Sequence, residues 1–247
     1  MLPGVTLSPL MNASMLDFKQ FCVLTFDCYG TMIDWESGIF SALRPMLAAR
    51  GLHVSNHDLL ETYGELEAQA EAGEFLNYRE VLRRVVHGFG QRLGFEATAS
   101  EMQSLPDSMA QWQPFPDTVA ALRRLGTRYS LAVLSNVDDD LFAASGRKLE
   151  VTFKKVITAQ QARCYKPCLE IFRMGMRQLD VTPDQVLHVG QSIYHDAIPA
   201  KSLGIATVWV NRPSPRSNVG AVKAAAGKAD LEVPNLKALA DLAVSEG

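Results

Sequence analysis

The chain has 247 residues, of which 47% are hydrophobic and 21% are charged, and its formal net charge is −3 at pH 7. This length fits one large domain, or a main domain with a smaller inserted one, and the composition is that of an ordinary globular enzyme. A slightly acidic chain with scattered Lys and Arg lacks the basic surface of a nucleic-acid-binding protein and the polybasic patch of a membrane-surface protein.

The sequence also argues against a membrane protein and a secreted one. No apolar run approaches the roughly 20 residues that a membrane helix requires, and residues 1–16 lack the positively charged start of a signal peptide. The four cysteines, at positions 22, 28, 164 and 168, are too few and too scattered for a disulfide framework. The pair at 164 and 168 has no second Cys/His pair with which to form a zinc site. We therefore expect a cytoplasmic protein with reduced thiols.

The first predicted element is a strand at residues 21–26, FCVLTF, and a long helical segment follows it. Residues 36–110 contain no convincing strand. They show helical spacing of apolar residues, for example at Leu59, Leu60, Tyr63 and Leu66. A helical insertion directly after the first strand indicates a cap over the active edge of a sheet. We therefore predict a core domain of residues 1–35 and 111–247 and a helical cap domain of residues 36–110.

Four further apolar runs follow the cap, at residues 130–135, 154–159, 185–190 and 206–211. Their few polar interruptions are typical of parallel strands that are buried on both faces. Helical patterns separate these runs, and a final helix is expected from about 235 to 243. The alternation of strands and helices predicts an α/β fold built on a doubly wound parallel sheet.

Polar side chains follow each of the first four predicted strands. In chain order they are Asp27 with Tyr29 and Thr31, Ser135 with Asn136, Lys166, and Gln191 with Ser192 and Asp196. Open parallel sheets bind ligands at the carboxyl ends of their strands, so these groups are expected to meet at one rim. Each residue alone has a structural explanation as a turn former, a helix cap or a solvated loop charge. Their joint occurrence in this order favours a functional site.

These segments resemble the four ordered motifs of the haloacid dehalogenase superfamily, namely DCYGT at 27–31, SN at 135–136, YKP at 165–167 and GQS at 190–192 with Asp196. The resemblance covers residues 21 to 212 or so. It implies a Rossmann-like core with an inserted helical cap, and it implies that Asp27, Lys166 and Asp196 are catalytic. The residues expected to contact the substrate are Tyr29, Thr31, Ser135, Asn136, Gln191 and Ser192.

Two positions distinguish the chain from the phosphatases of this superfamily. Tyr29 replaces the acid that protonates a leaving alcohol, and Gln191 replaces an acidic Mg²⁺ ligand. Tyr29 is typical of the 2-haloacid dehalogenase branch. The resemblance therefore implies metal-independent and cofactor-independent hydrolysis of a small 2-haloacid to the 2-hydroxy acid, through an ester on Asp27. The expected binding partner is a small carboxylate substrate. Whether the protein forms a homodimer stays an open question.

The cap departs from the usual pattern of this branch, which has an Arg on its first long cap helix. Between Gly51 and Tyr78 the chain has no Lys or Arg and several acidic residues, among them Glu67 and Glu71. We expect one of Arg79, Arg83 and Arg84 to point into the cleft above Asp27 in place of the missing Arg. Phe172 stands where the branch has a Tyr. Two alternatives remain open, an Mg²⁺-dependent small-molecule phosphatase and a non-catalytic binding protein on the same fold.

Overall fold

A computed structural model describes residues 16–217 and 219–244. Residues 1–15 lie outside the described residues. They make up most of residues 1–16, the segment for which the sequence predicts no signal peptide. The described strands form one sheet in the order β3-β2-β1-β4-β5-β6, and all neighbouring strands are parallel. The strands are β1 (Val23–Phe26), β2 (Ser130–Ser135), β3 (Lys155–Thr158), β4 (Val186–Gly190), β5 (Ala206–Val210) and β6 (Leu231–Val233). The parallel α/β fold predicted from the sequence is confirmed.

The central strand β1 sets the position of the site. All of its residues are buried, as its uninterrupted apolar run predicts. Phe26, its last residue, lies opposite Val133 of β2 and Val189 of β4. Because the three strands end at nearly the same level, the residues that follow them lie close together at one edge of the sheet.

The segment between β1 and β2 is helical throughout the predicted region. Its helices are α1 (Trp35–Ala48), α2 (Asn56–Glu71), α3 (Tyr78–Leu93), α4 (Ala99–Met102) and α5 (Ser104–Ser108), together called the helical insertion below. Leu60 and Tyr63 of α2 and Val81 and Val85 of α3 are buried, so the apolar stripes of these helices pack into the core. The division into domains at residues 35/36 and 110/111 stays a prediction.

The remaining helices cover the two faces of the sheet. They are α6 (Thr118–Leu125), α7 (Asp139–Gly146), α8 (Ala159–Ala162), α9 (Leu169–Leu179), α10 (Ile198–Ser202) and α11 (Leu236–Ala243). A single π-helical turn over Ile193–Ala197 precedes α10 and carries Asp196. No helix of the described chain is long and apolar enough to cross a membrane.

Two polar contacts hold the start of α3 against the loops at the rim of the sheet. The Asp138 carboxylate, directly before α7, accepts hydrogen bonds from the backbone N–H groups of Tyr78 (2.9 Å) and Arg79 (3.1 Å). An anion at a helix N-terminus contributes about 0.3–1 kcal/mol. The Tyr165 hydroxyl donates to the Leu76 carbonyl at 2.7 Å. These contacts place the helical insertion next to the residues that follow β2 and β3.

Candidate active site

Asp27 directly follows β1, and both of its carboxylate oxygens are held by hydrogen bonds. Oδ1 accepts from Lys166 Nζ at 2.9 Å, and Oδ2 accepts from Thr31 Oγ1 at 2.8 Å. The Thr31 hydroxyl is itself oriented, because it accepts from the Gln191 backbone N–H at 2.8 Å. Burial, with a smaller contribution from Asp196, raises the pKa of Asp27 above its ordinary value, although Lys166 opposes this shift. The result is a desolvated carboxylate fixed next to one cation.

Lys166 reaches Asp27 from the loop beyond β3, and its ammonium is completely surrounded. The side chain is 1% exposed, and Nζ donates to Asp27 Oδ1 (2.9 Å), Asp196 Oδ1 (2.7 Å) and the Leu134 carbonyl (2.9 Å). These three acceptors match the three protons of the ammonium. Burial alone would lower the pKa of Lys166, but the charges of Asp196 and Asp27 raise it above its usual range. The 2.9 Å distance confirms the predicted approach of Lys166 to Asp27.

The backbone of Lys166 is fixed by Asn136. The Lys166 N–H donates to Asn136 Oδ1 at 2.6 Å, and Asn136 Nδ2 donates to the Lys166 carbonyl at 3.1 Å. Both polar atoms of the Asn136 side chain thus hold the loop that presents Lys166. The assignment of Asn136 to substrate binding stays a prediction.

Asp196 is the second buried carboxylate that contacts Lys166. Its Oδ1 also lies 3.1 Å from His188 Nε2, and its Oδ2 accepts from the Ser192 N–H at 3.2 Å. Burial alone would raise the pKa of Asp196, but the Lys166 charge and the His188 hydrogen bond hold it well below its usual range. Gly190 permits this close packing, since a Cβ at that position would lie 2.5 Å from the Asp196 carboxyl carbon.

His188 extends the polar chain beneath the site, and the sequence analysis missed it. Its Nδ1 lies 2.9 Å from Thr25 Oγ1, and its ring packs edge-on against Phe172 with centroids 5.1 Å apart. The signal for His188 is a single polar residue in the otherwise apolar run of β4, opposite the single threonine of β1. Phe172, which stands where the dehalogenase branch has a Tyr, therefore packs against His188. His188 in turn contacts Asp196.

A cavity of about 30 Å³ lies against Asp27. Eight of the nine predicted site residues line it, and the exception is Thr31, which bonds to the Asp27 carboxylate without lining the cavity. Ser135 Oγ is buried at the cavity wall and has no hydrogen-bond partner among the described residues. The cavity residues absent from the predicted set are Trp35, Glu67, Glu71, Tyr78, His195 and Val222.

Two of these additional residues, Glu67 and Glu71, belong to α2 and carry carboxyl groups. Glu67 is 4% exposed, and its Oε1 accepts hydrogen bonds from the hydroxyls of Tyr63 (3.1 Å) and Tyr78 (2.6 Å). Burial raises the pKa of Glu67 to about 7 against the effect of these two hydrogen bonds. Burial and the charge of Glu67 also raise the pKa of Glu71 well above its usual range, with Lys166 opposing. The sequence shows that α2 is rich in acidic residues. It does not show which of them line the cavity with Asp27.

The expected cap arginine is absent from the cavity, and the prediction for Arg79, Arg83 and Arg84 is wrong. Arg79 pairs with Asp140 at 2.5 Å, Arg83 contacts Glu80 and Gln103, and Arg84 contacts Glu80. None of the three arginines lines the cavity. The physical reason is that the apolar stripe of α3 faces the core, which leaves its arginines on the sides of the helix that carry polar partners.

Tyr29 and Gln191, which replace acidic residues of the phosphatases, both line the cavity against Asp27. The Tyr29 hydroxyl lies 3.0 Å from Ser145 Oγ, and Gln191 Nε2 donates to the Val219 carbonyl at 3.0 Å. Neither residue offers the anionic oxygen that this cation prefers. Within the described ranges, the one close group of three metal-ligating side chains is exposed at the start of α2 (His57, Asp58 and Glu61) and does not include Asp27.

The geometry agrees with comparisons to known proteins. A family model described as haloacid dehalogenase-like hydrolase matches residues 23–204, which is well over half of the chain. The chain belongs to the haloacid dehalogenase-like hydrolase family. The motif residues named above all fall within the matched region.

Individual members of this family are similar to the chain at low identity. Haloacetate dehalogenase H-2 of Moraxella sp. (strain B) is 25% identical over 202 residues, which cover 78% of this chain and 87% of that protein. (S)-2-haloacid dehalogenase 4A of Burkholderia cepacia is 26% identical over 211 residues, 80% of this chain and 85% of that protein. The structure of the L-2-haloacid dehalogenase from Xanthobacter autotrophicus with chloropropionic acid covalently bound has a TM-score of 0.75 and 21% identity, and covers 92% of this chain and 100% of that one. At this identity the structural likeness shows the shared fold.

Proposed function

We propose that this protein is a metal-independent hydrolytic dehalogenase that acts on a small 2-haloacid or a close derivative of one, with Asp27 as the nucleophile. The observation that carries the proposal is the buried Asp27 carboxylate, held at 2.9 Å by a lysine that also pairs with Asp196, against a small cavity. The dehalogenase relatives support halide as the leaving group.

The first step is a displacement at carbon. A carboxylate oxygen of Asp27 attacks the halogen-bearing carbon, a carbon–oxygen bond forms, and the halide leaves with the electron pair of the carbon–halogen bond. Desolvation makes the Asp27 carboxylate more reactive, and its fixed hydrogen bonds reduce the motion needed to reach an attacking geometry. Halide needs no proton when it leaves, so Tyr29 in place of an acid does not impede this step.

The second step is hydrolysis of the Asp27 ester. Water attacks the Asp27 carbonyl carbon, and negative charge develops on the carbonyl oxygen next to the Lys166 ammonium, which stabilises it. When this intermediate collapses, the bond from the Asp27 carbonyl carbon to the alcohol oxygen breaks. The alcohol oxygen takes one proton of the attacking water, and the other proton leaves to solvent. The products are the alcohol, which is a 2-hydroxy acid when the substrate is a 2-haloacid, and the Asp27 carboxylate. The cavity of about 30 Å³ is large enough for one or two water molecules, since a site needs about 10–15 Å³ for each.

The test is halide release from a panel of small 2-haloacids and 2-haloamides, each assayed with and without EDTA, beside p-nitrophenyl phosphate with Mg²⁺. We expect halide release that EDTA leaves unchanged and that is lost in Asp27→Asn. Turnover of the phosphate ester that depends on Mg²⁺, without halide release, would establish the phosphatase alternative. Substrate binding without any turnover would establish the binding-protein alternative.

A further inference from the structure

The proposed reaction makes no use of the two glutamates of α2 that face Asp27. Glu67 and Glu71 are four residues apart, so they lie on the same face of the helix, and both line the cavity with Asp27. Glu71, Lys166 and His195 also line a wider neighbouring cavity of about 290 Å³. Arg163, whose guanidinium lies over the Phe75 ring, lines that wider cavity but not the cavity against Asp27. A substrate molecule that fills the cavity next to Asp27 would therefore lie beside the α2 carboxyl groups.

Glu67 is held in place and cannot turn away from a ligand without losing two hydrogen bonds. Both tyrosine hydroxyls, from Tyr63 on α2 and Tyr78 on α3, donate to the same oxygen, Oε1. Tyr63 packs edge-on against Trp35 with ring centroids 5.8 Å apart, and Trp35 is another cavity residue. Glu67 is thus a fixed acceptor in the wall opposite the nucleophile.

The positively charged side chain at this cavity has no hydrogen-bond donor left for a substrate. Lys166 is the one Lys or Arg side chain that lines it in the described part of the chain, and its three protons are donated to Asp27, Asp196 and Leu134. Burial lowers the pKa of His195 to about 4, so its imidazole is uncharged at neutral pH. The raised pKa values of Glu67 and Glu71 agree with a site that is short of positive charge.

Ser135 provides a separate indication that a polar ligand group belongs here. Its Oγ lies in the cavity wall, is completely buried and has no hydrogen-bond partner among the described residues. A buried hydroxyl without a protein partner costs free energy, so such a group is usually satisfied by ordered water or by a bound molecule. A hydroxyl both donates and accepts, and it therefore suits an amide as well as a carboxylate.

We infer that the site takes a 2-haloamide, whose polar end is uncharged and carries N–H donors, in preference to an ionised 2-haloacid, and that Glu67 and Glu71 determine this preference. The inference rests on the proposed function. An ionised substrate would bring a negative charge into a cavity where burial already disfavours the ionised forms of Glu67 and Glu71 and where the one Lys or Arg of the described chain that lines it, Lys166, is already paired. Amide N–H groups, in contrast, can donate to the carboxyl oxygens of these glutamates. The carbon–halogen bond breaks, the Asp27 ester forms and is hydrolysed, and the products are the 2-hydroxyamide, halide and a proton. The amide bond stays intact.

The experiment compares 2-chloropropionamide with 2-chloropropionate at pH 8 by chloride release. We expect the wild-type kcat/KM to favour the amide by at least about tenfold, because placing like charges together is costly. Glu67→Gln keeps the size of the side chain and removes a carboxylate that is ionised at pH 8, because the pKa of Glu67 is about 7. It should move the ratio at least about tenfold towards the acid. Glu71→Gln should move the ratio in the same direction but by less, because burial favours the neutral form of Glu71. Glu65→Gln removes the same charge from the exposed side of α2, where Glu65 pairs with Arg92. This control should leave the ratio unchanged.

A wild-type ratio at or below one, or a ratio that neither Gln variant moves, would overturn the inference and leave the proposed function standing. Absence of chloride release from both compounds would overturn the proposed function instead. The inference is then decided by NMR titration of the wild-type protein with propionamide and propionate, which need no turnover and no variant. Tighter binding of propionamide supports it, and equal or tighter binding of propionate rejects it.

Discussion

Replacement of Lys166 by Met removes the ammonium between Asp27 and Asp196 while keeping an unbranched, buried side chain. The two carboxylate contacts, at 2.9 and 2.7 Å, would each be worth roughly 6 kcal/mol at an effective dielectric constant of about 20. Desolvation of the three charges offsets most of this attraction. We therefore expect the free energy of unfolding at pH 8 to fall by about 3–5 kcal/mol, the usual cost of leaving a buried charge without its partner.

The loss of stability in Lys166→Met should depend on pH. In the wild type, the lowered pKa of Asp196 means that its ionised form contributes stability above the ordinary carboxyl range, and this contribution is lost as the pH falls through the lowered pKa. In the variant, both carboxylates lack a counter-charge, their pKa values rise, and they take up protons as the pH falls. The difference from the wild type should therefore be largest at pH 8 and smaller at pH 5.

Denaturant unfolding and chloride release measure the two effects of Lys166→Met. The rate of turnover should fall at least about 10²-fold, the usual effect of one preorganised charge donor. Lys201→Met is the matched control, because Lys201 forms a partly exposed pair with Asp230 that is worth at most about 1 kcal/mol. Near-normal turnover in Lys166→Met, with no greater loss of stability than in Lys201→Met, would refute the assignment of Lys166 to the site.

Two further predictions follow from the described contacts. Burial raises the pKa of Asp27, and only its ionised form attacks carbon. The rate of halide release should therefore increase with pH along a limb centred above the ordinary aspartate pKa of about 3.9. A limb at or below that value would contradict the burial argument. Arg83→Ala and Arg84→Ala should leave KM for either substrate within about twofold of the wild type, since surface charges of this kind contribute little. A tenfold rise in KM for 2-chloropropionate alone would show that α3 contributes to binding of the anionic substrate.

The strands and the residues that follow them could be predicted because their signals are local. Each of the five predicted runs contains a strand of the sheet. Asp27 follows β1, Ser135 ends β2 and Lys166 lies beyond β3, so their order at the edge of the sheet follows from chain order. Parallel strands end at one edge, so these residues were expected at the same rim. The direct approach of Lys166 to Asp27 was expected from the resemblance to the haloacid dehalogenase superfamily. The short strand β6, with three residues, carries too little pattern to be recognised.

The wall of the cavity opposite Asp27 could not be predicted because it depends on packing between elements. The acidic residues of α2 are spaced along the whole helix, and the sequence does not show that Glu67 is buried beneath two tyrosines while Glu65 is exposed. The arginines of α3 illustrate the same difficulty, since Arg79 and Arg83 have partners on other segments, Asp140 and Gln103. His188 was missed for a different reason, since its polar partners Thr25 and Asp196 come from a neighbouring strand and a later turn.

The most direct test of the central claim is a single turnover in ¹⁸O-water with the enzyme in excess. If Asp27 forms an ester with the substrate, water attacks the Asp27 carbonyl, so its oxygen remains on the protein after the first turnover. Mass spectrometry should then find ¹⁸O in the peptide that contains Asp27 and none in the released hydroxy product. Label in the product and none in that peptide would show that Asp27 activates water for direct attack on carbon, and would contradict the covalent route.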